Sequence, residues 1–317
     1  MPRRLQWLFY AALLGLLGIV PVIAALIDEP FYLDLFTRIV IFAIAAVSLD
    51  LILGQAGILS FGHAVYLGVG GYSVGILDHY GISSGPLQFS TAIVVSALVA
   101  LLIGAVSLRT SGVYMIMITL AFGQMFYFLA ISMQSFGGDD GMTISAHSDF
   151  GSTLDFANPN VLFYSCFACL LLILGLARLL IDARFGMVLH GIKSNEPRMV
   201  AIGFPVLRYK LAAFVISGVA CGLAGALLAN QGMFVSPAIM HWTRSGEIMM
   251  MVILGGIGTL FGPVLGAIIY LVLEDSLSSL SEHWQLALGV IVVVVVIFAR
   301  RGLLGLLDIR LPRHRNV

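Results

Sequence analysis

Uninterrupted apolar runs of about 20 residues, the length needed to cross a bilayer as a helix, recur from one end of this chain to the other. Roughly ten can be marked, at residues 5–27, 33–53, 57–77, 89–108, 113–133, 161–181, 211–231, 245–258, 264–280 and 284–299. They are continuous rather than alternately apolar and polar, which excludes a β-barrel. Backbone N–H and C=O groups in lipid must pair within the chain. An all-α integral membrane protein is therefore expected, a polytopic bundle of about 10 transmembrane helices, with 8 as the alternative. Only 10% of the residues are charged, against about 25% in soluble domains. Residues 1–317 read as a single transmembrane domain. The runs at 57–77, 245–258 and 264–280 are interrupted by glycine, and one or more of them is a candidate re-entrant segment.

The formal net charge of zero conceals an asymmetry. With the N-terminus inside and ten crossings, the C-terminus is also inside. Fourteen of the 16 basic residues then share the inner side: Arg3, Arg4, Arg109, Arg178, Arg184, Lys193, Arg198, Arg208, Lys210, Arg300, Arg301, Arg310, Arg313 and Arg315. Arg38 and Arg244 fall outside. Basic residues set orientation and acids contribute little, so both termini are expected in the cytoplasm. Removing two crossings would preserve the bias, whereas an odd number would put the basic tail on the wrong side. Arg3 and Arg4 followed by an apolar run resemble a signal peptide, but no small-x-small cleavage site precedes a polar region, and the run is read as a retained first helix. Cys166, Cys169 and Cys221 all lie in apolar runs and read as small packing residues.

Two connections are polar. Residues 134–160 form an external loop rich in Gly, Asp, Ser and Asn, with four acids and no Lys or Arg. Its GGDDG at 137–141 hints at a calcium loop, but the ligand spacing and closing Glu of an EF-hand are missing. A loop that covers the mouth of the bundle or meets an outside partner is expected. Residues 182–210 form an inner connection holding Asp182, Arg184, Lys193, Glu196, Arg198, Arg208 and Lys210. Pro197 suits the first turn of a short helix, Asn195 its cap, and Gly203 its end, with Pro205 just beyond. Such an element can fit a groove on a soluble subunit; the alternative is a solvated loop holding lipid head groups through its basic residues.

Residues 191–203, GIKSNEPRMVAIG, followed by RYKLAAF at 208–214, resemble the cytoplasmic coupling motif of the branched-chain amino acid ABC importer permeases, most closely the M-type subunit. DLILGQAGILSFGH at 50–63, Gly70-Gly71-Tyr72, Leu108-Arg109, TLAF at 119–122 with Gln124, GLAG at 222–225 and GGIG at 255–258 with Phe261-Gly262-Pro263 extend the resemblance from Arg38 to Gly305. It implies a multi-pass protein of a bacterial-type inner membrane, surrounded by lipid. Its expected partners are a second (H-type) permease subunit, two ABC ATPase subunits and an external solute-binding protein; no nucleic acid is expected. The coupling set is then Lys193, Asn195, Glu196, Arg198, Ala201 and Gly203. No cofactor is expected in this chain, with ATP and Mg held by the ATPase subunits. Leucine, isoleucine and valine are the implied cargo, with urea, other amino acids or aromatic acids as alternatives.

Polar side chains within the apolar runs supply candidates for a pathway lining: Asp50, Gln55, Ser60, His63, Tyr66 and Gln124. Ser, Asn and Gln also bridge helices in membranes. The family usually has Asn at the place of Asp50. A buried acid costs about 2.5–3.5 kcal/mol on insertion scales, so Asp50 is expected to face protein or water, or to sit at the inner interface. His63 reads first as a hydrogen-bonding residue that fixes a broken helix. The stretches at 52–62 and 253–262 echo one another, and glycine-broken helices in transporter repeats line the pathway. The only two lysines, Lys193 and Lys210, belong to no GxxxxGK(S/T) phosphate cradle. Catalytic clusters of the Ser-His-Asp or zinc type are missing, so a transport subunit rather than an enzyme is expected. A proton-driven carrier using Asp50 and His63 is the rival.

Overall fold

The structure, a computed structural model, describes residues 3–27, 29–151, 154–280, 283–298 and 302. Arg300, Arg301, Arg310, Arg313 and Arg315 lie outside them, as does the end of the family resemblance at Gly305. Twelve helices are described: α1 (Arg3–Ile27), α2 (Pro30–Ala56), α3 (Ala64–His79), α4 (Gly85–Ser107), α5 (Val113–Ser132), α6 (Pro159–Asp182), α7 (Arg184–Ser194), α8 (Glu196–Ala201), α9 (Val206–Gly232), α10 (Trp242–Gly255), α11 (Gly262–Ser278) and α12 (Trp284–Phe298). Each of the ten apolar runs overlaps a helix, and α7 and α8 occupy the 182–210 connection. Among the described residues five helices, α2, α4, α5, α6 and α9, are long and apolar enough to cross a membrane.

Their boundaries follow local chemistry. Pro30 opens α2, where its missing N–H costs no bond. Gly57 closes that helix in the left-handed region at φ 70°, its N–H returning to the carbonyl of Ile52. Asn158 caps α6 by accepting the N–H of Asn160, with Pro159 opening the helix.

The core is α2. From Ile39 to Ala56 all its residues are buried, as expected of a helix apolar on every side. It packs against α9, α6, α11 and α10, while α9 also packs along α3 and α4. Glycine permits the α3–α9 approach: a Cβ on Gly225 would stand 1.8 Å from the carbonyl oxygen of Leu67, and one on Gly70 would stand 1.9 Å from that of Gly222. Gly225→Val is therefore expected to prevent accumulation of the folded protein in membranes, whereas Gly246→Ala, whose Cβ meets nothing within 4 Å, should accumulate normally. Quantitative blotting of detergent-extracted, monodisperse protein checks both. The outer faces of α4, α5 and α6 carry exposed apolar residues such as Leu98, Leu102, Met125, Phe128, Leu172 and Leu176, a surface suited to lipid rather than water.

One expectation is corrected in shape. The run at 57–77 is not one helix: residues 57–63 are non-helical and α3 starts at Ala64. His63 bonds Ser48, eight residues before the end of α2 and so about 12 Å along it at 1.5 Å per residue. The non-helical segment thus climbs from the end of α2 into the bundle before α3 begins. Irregular backbone at membrane depth survives only where protein or a cavity satisfies it. Here Phe61 N–H donates to Thr119 Oγ1 of α5 at 3.2 Å, and Ala64 N–H donates to Ser245 Oγ of α10 at 3.0 Å. Cys221 of α9 donates to the His63 carbonyl at 3.6 Å.

The bundle has two distinct ends. At one, the described part of residues 134–160 lies over the helices. Their strand β1 (Met142–Thr143) pairs antiparallel with β2 (Phe234–Val235), Ser148 bonds Gln88 and Asn230, and Ser145 N–H donates to Asp78 at 2.6 Å. At the other end lie α7, α8, the end of α2 and the turn between α10 and α11.

Candidate functional site

The 182–210 connection is two short helices, both anchored. On α7, Val188, Leu189 and Ile192 are buried, a spacing that sets one face against the bundle. Asn195 caps α8, its Oδ1 accepting the N–H of Arg198 at 3.0 Å. Pro197 lies in the first turn. At the far end Gly203 takes φ 95°; its N–H returns to Val200 O at 2.9 Å and that of Phe204 to Met199 O at 3.1 Å. This paired arrangement is a Schellman closure, which the left-handed glycine makes possible. The cap, the proline and the terminating glycine all stand where the residues required them.

Sequence reasoning missed what the two lysines do. Lys193 Nζ donates to the carbonyl oxygen of Gly54 at 2.5 Å, one of the last four carbonyls of α2, which have no partner within their own helix. A cation there also complements the negative end of the helix dipole. Lys210 of α9 bonds Glu196 of α8 at 2.6 Å. Glu196 is 43% exposed, Lys210 only 11%, so the pair is worth ~1 kcal/mol once solvent screening is allowed for. The signal was the scarcity itself: a chain with two lysines has spent both on tying this connection to α2 and α9.

Asp50 extends the first tie. It does not sit at a solvated interface: at 4% exposure it is buried in the last turns of α2. Its Oδ1 accepts the N–H of Gly258, in the α10–α11 turn, at 2.7 Å. Gly54 and Gly258 touch, since a Cβ on Gly54 would stand 2.6 Å from Gly258 Cα. The echoing stretches at 52–62 and 253–262 therefore meet at this end of the bundle. Lys193, Gly54, Asp50 and Gly258 make one continuous route from the connection through α2 to the next helical turn.

The remaining polar candidates are largely enclosed within the bundle. Gln55, Ser60, His63 and Tyr66 are buried, and Gln124 of α5 is partly so. His63 Nε2 lies 2.8 Å from Ser48 Oγ, and its ring meets that of Tyr66 edge-on at 5.5 Å. This agrees with a histidine that fixes the broken segment. Among the described residues, Ser60 Oγ, His63 Nδ1, Tyr66 OH, Gln55 Oε1 and Gln124 Nε2 have no hydrogen-bond partner.

The outer face of the connection is uncovered. No residue of α8 is buried, and Met187, Val200 and Ile202 are more than half exposed. A cavity of about 420 Å³ opens beside it between Leu108, Glu196, Val200, Phe204 and Lys210.

A polytopic bundle of apolar helices with a tied, exposed connection between α6 and α9 is the architecture of a multi-pass membrane protein. The family model described as the permease component of branched-chain amino acid transport systems matches residues 31–299. The chain belongs to that family. It is 28% identical over 298 residues to the high-affinity branched-chain amino acid transport system permease proteins LivM of Salmonella typhimurium and of Escherichia coli, covering 86% of this chain and 69% of each relative. It is also 28% identical over 193 residues to a probable branched-chain amino acid transport permease protein LivH of Methanocaldococcus jannaschii, covering 58% of this chain and 60% of that one. The longer match makes it an M-type member. No solved structure is significantly similar to it.

Proposed function

We propose that this chain is the M-type permease subunit of an ATP-driven importer of branched-chain amino acids in a bacterial inner membrane, with both termini in the cytoplasm. It forms the translocation pathway with an H-type permease, receives cargo from an external binding protein, and is driven by two ATPase subunits that hold ATP and Mg. Residues 134–160 face outward and 182–210 face the cytoplasm. The observation that carries this reading is the α7–α8 connection, capped at its ends, bound to α2 and α9 through Lys193 and Lys210, and bare on its outer side, where Met187, Val200 and Ile202 are exposed. Met187, Val200 and Ile202 are the surface for an ATPase groove, and Glu196, Arg198 and Ala201 stand on the same short helix.

Closure of the ATPase pair would move the connection. Through Lys193 the displacement reaches α2, and through Asp50 the turn between α10 and α11; through Glu196 and Lys210 it reaches α9. These helices enclose the broken segment at 57–63, where Ser60, His63 and Tyr66 stand with Gln55 and Gln124 as candidate pathway groups. Cargo can shift the two access states only by binding them differently, so the directional work comes from ATP. The rival carrier needs a proton path shared by Asp50 and His63. Asp50 takes the N–H of Gly258 and His63 pairs with Ser48, an arrangement in which neither is the other's partner.

Uptake of radiolabelled leucine into proteoliposomes tests the reading. The assembled complex with its binding protein should import leucine only with ATP inside. Uptake by the purified chain alone under a pH gradient would overturn it.

A further inference from the structure

Arg38 and Arg244 are the two basic residues that the proposed topology leaves on the outer side. They belong to α2 and α10, yet both face a single cavity of about 380 Å³ whose other walls include Phe42, Leu67, Leu228 and Ile239. Each guanidinium is backed by a carboxylate: Arg38 Nη2 lies 3.3 Å from Glu274 Oε1, and Arg244 Nη1 lies 2.7 Å from Glu247 Oε2. Arg38 also lies 5.7 Å from the ring centre of Phe42. The Arg38 and Arg244 side chains are 37% and 35% exposed. A guanidinium offers five N–H donors in a planar fork, and one contact to each glutamate leaves most of them directed elsewhere. Glu274 Oε2 is buried with no hydrogen-bond partner among the described residues.

Two cations whose function was only to neutralise two glutamates would be expected to turn wholly onto them. Instead they line a space that is apolar on its other sides and sized for a small molecule. Apolar walls with a few convergent charged groups are the usual make-up of a small-ligand site, and arginine forks match carboxylates.

We propose that this cavity is an outer binding station for a small aliphatic amino acid: its carboxylate is held by Arg38 and Arg244, its ammonium reaches Glu274, and its side chain lies against Phe42, Leu67, Leu228 and Ile239. The proposal rests on the reading of the chain as an importer subunit and adds a cargo site within this subunit. Charge complementarity at both ends of the ligand distinguishes it from a lipid phosphate, which would leave Glu274 Oε2 without a partner.

The test uses the assembled permease–ATPase complex in nanodiscs, without binding protein. Leu228→Cys is labelled by a small methanethiosulfonate reagent, with Ile239→Cys as the second reporter and the parent complex as background. Millimolar L-leucine should slow labelling, and leucinol, which lacks the carboxylate, should not. Adding Arg38→Gln or Arg244→Gln should weaken leucine protection roughly tenfold or more, the loss expected for one charge-assisted hydrogen bond. Glu274→Gln should remove the advantage of leucine over 4-methylpentanoate. Equal protection by leucinol, or protection that survives both arginine substitutions together, overturns the proposal. So does labelling that responds to exchange of phosphatidylglycerol for phosphatidylcholine as strongly as to leucine, which would mark a lipid site. Leucine uptake by the same complex with its binding protein separates the two failures: if uptake is absent the importer reading has failed, and if uptake is intact while leucine never protects, only this site has.

Discussion

Lys193→Met should leave the ATPase turning over while ATP-driven uptake falls by tenfold or more. The methionine keeps the length and apolar stem of the lysine, so the packing of α7 through Val188, Leu189 and Ile192 survives. What disappears is the bond from Nζ to the Gly54 carbonyl at 2.5 Å. A hydrogen bond from a charged donor contributes about 1.5–3 kcal/mol, which corresponds to roughly 10- to 150-fold in an equilibrium. That loss falls on the contact that makes α2 follow α7. Met187, Val200 and Ile202 are untouched, so docking and hydrolysis should continue without the stroke reaching the bundle. Paired measurements of leucine uptake and phosphate release in proteoliposomes check it. Unchanged uptake would show that α2 is moved by some other contact.

Asp50→Leu should severely impair transport, and Asp50→Asn should be close to wild type. Asp50 Oδ1 accepts the Gly258 N–H at 2.7 Å while the side chain is buried. An amide oxygen can accept the same bond. Leucine cannot, and it would leave a buried N–H unpaired at a cost of about 1–3 kcal/mol. It would also press a branched side chain toward Gly54 and Gly258, which touch with no space for another group. Uptake should fall below a tenth of wild type in the leucine variant even where the protein accumulates. Fluorescence-detected size-exclusion alongside uptake separates misfolding from uncoupling. If Asp50→Asn were as damaging as Asp50→Leu, the negative charge rather than the hydrogen bond would be the working element.

The positions of the helices were legible because lipid imposes one rule on every crossing segment, and among the described residues five of the apolar runs became helices long and apolar enough to cross. The ends of α8 were legible for a local reason: Asn195, Pro197 and Gly203 act on their own neighbours within a few residues. The break before α3 was only partly visible. Its glycines marked an interruption, but the donors and acceptors that stabilise it, Thr119, Ser245 and Cys221, come from three other helices. Likewise the ties of Lys193 to Gly54 and of Asp50 to Gly258 span 139 and 208 positions, and no local pattern encodes a contact of that kind. The convergence of Arg38 and Arg244 was hidden for the same reason. Charge counting placed both on one side, and only the fold places them on one cavity.

The central claim is that the α7–α8 connection is the cytoplasmic handle by which a separate ATPase moves this subunit. Ser194, exposed at the end of α7, reports on it directly. A cysteine at that position, in cells co-expressing the ATPase subunits and carrying a cysteine in the ATPase surface groove, should form a cross-link to the ATPase on oxidation and resist a membrane-impermeant maleimide added outside. Labelling by that maleimide in intact cells, with no ATPase adduct, would place the connection on the wrong side of the membrane and contradict the account.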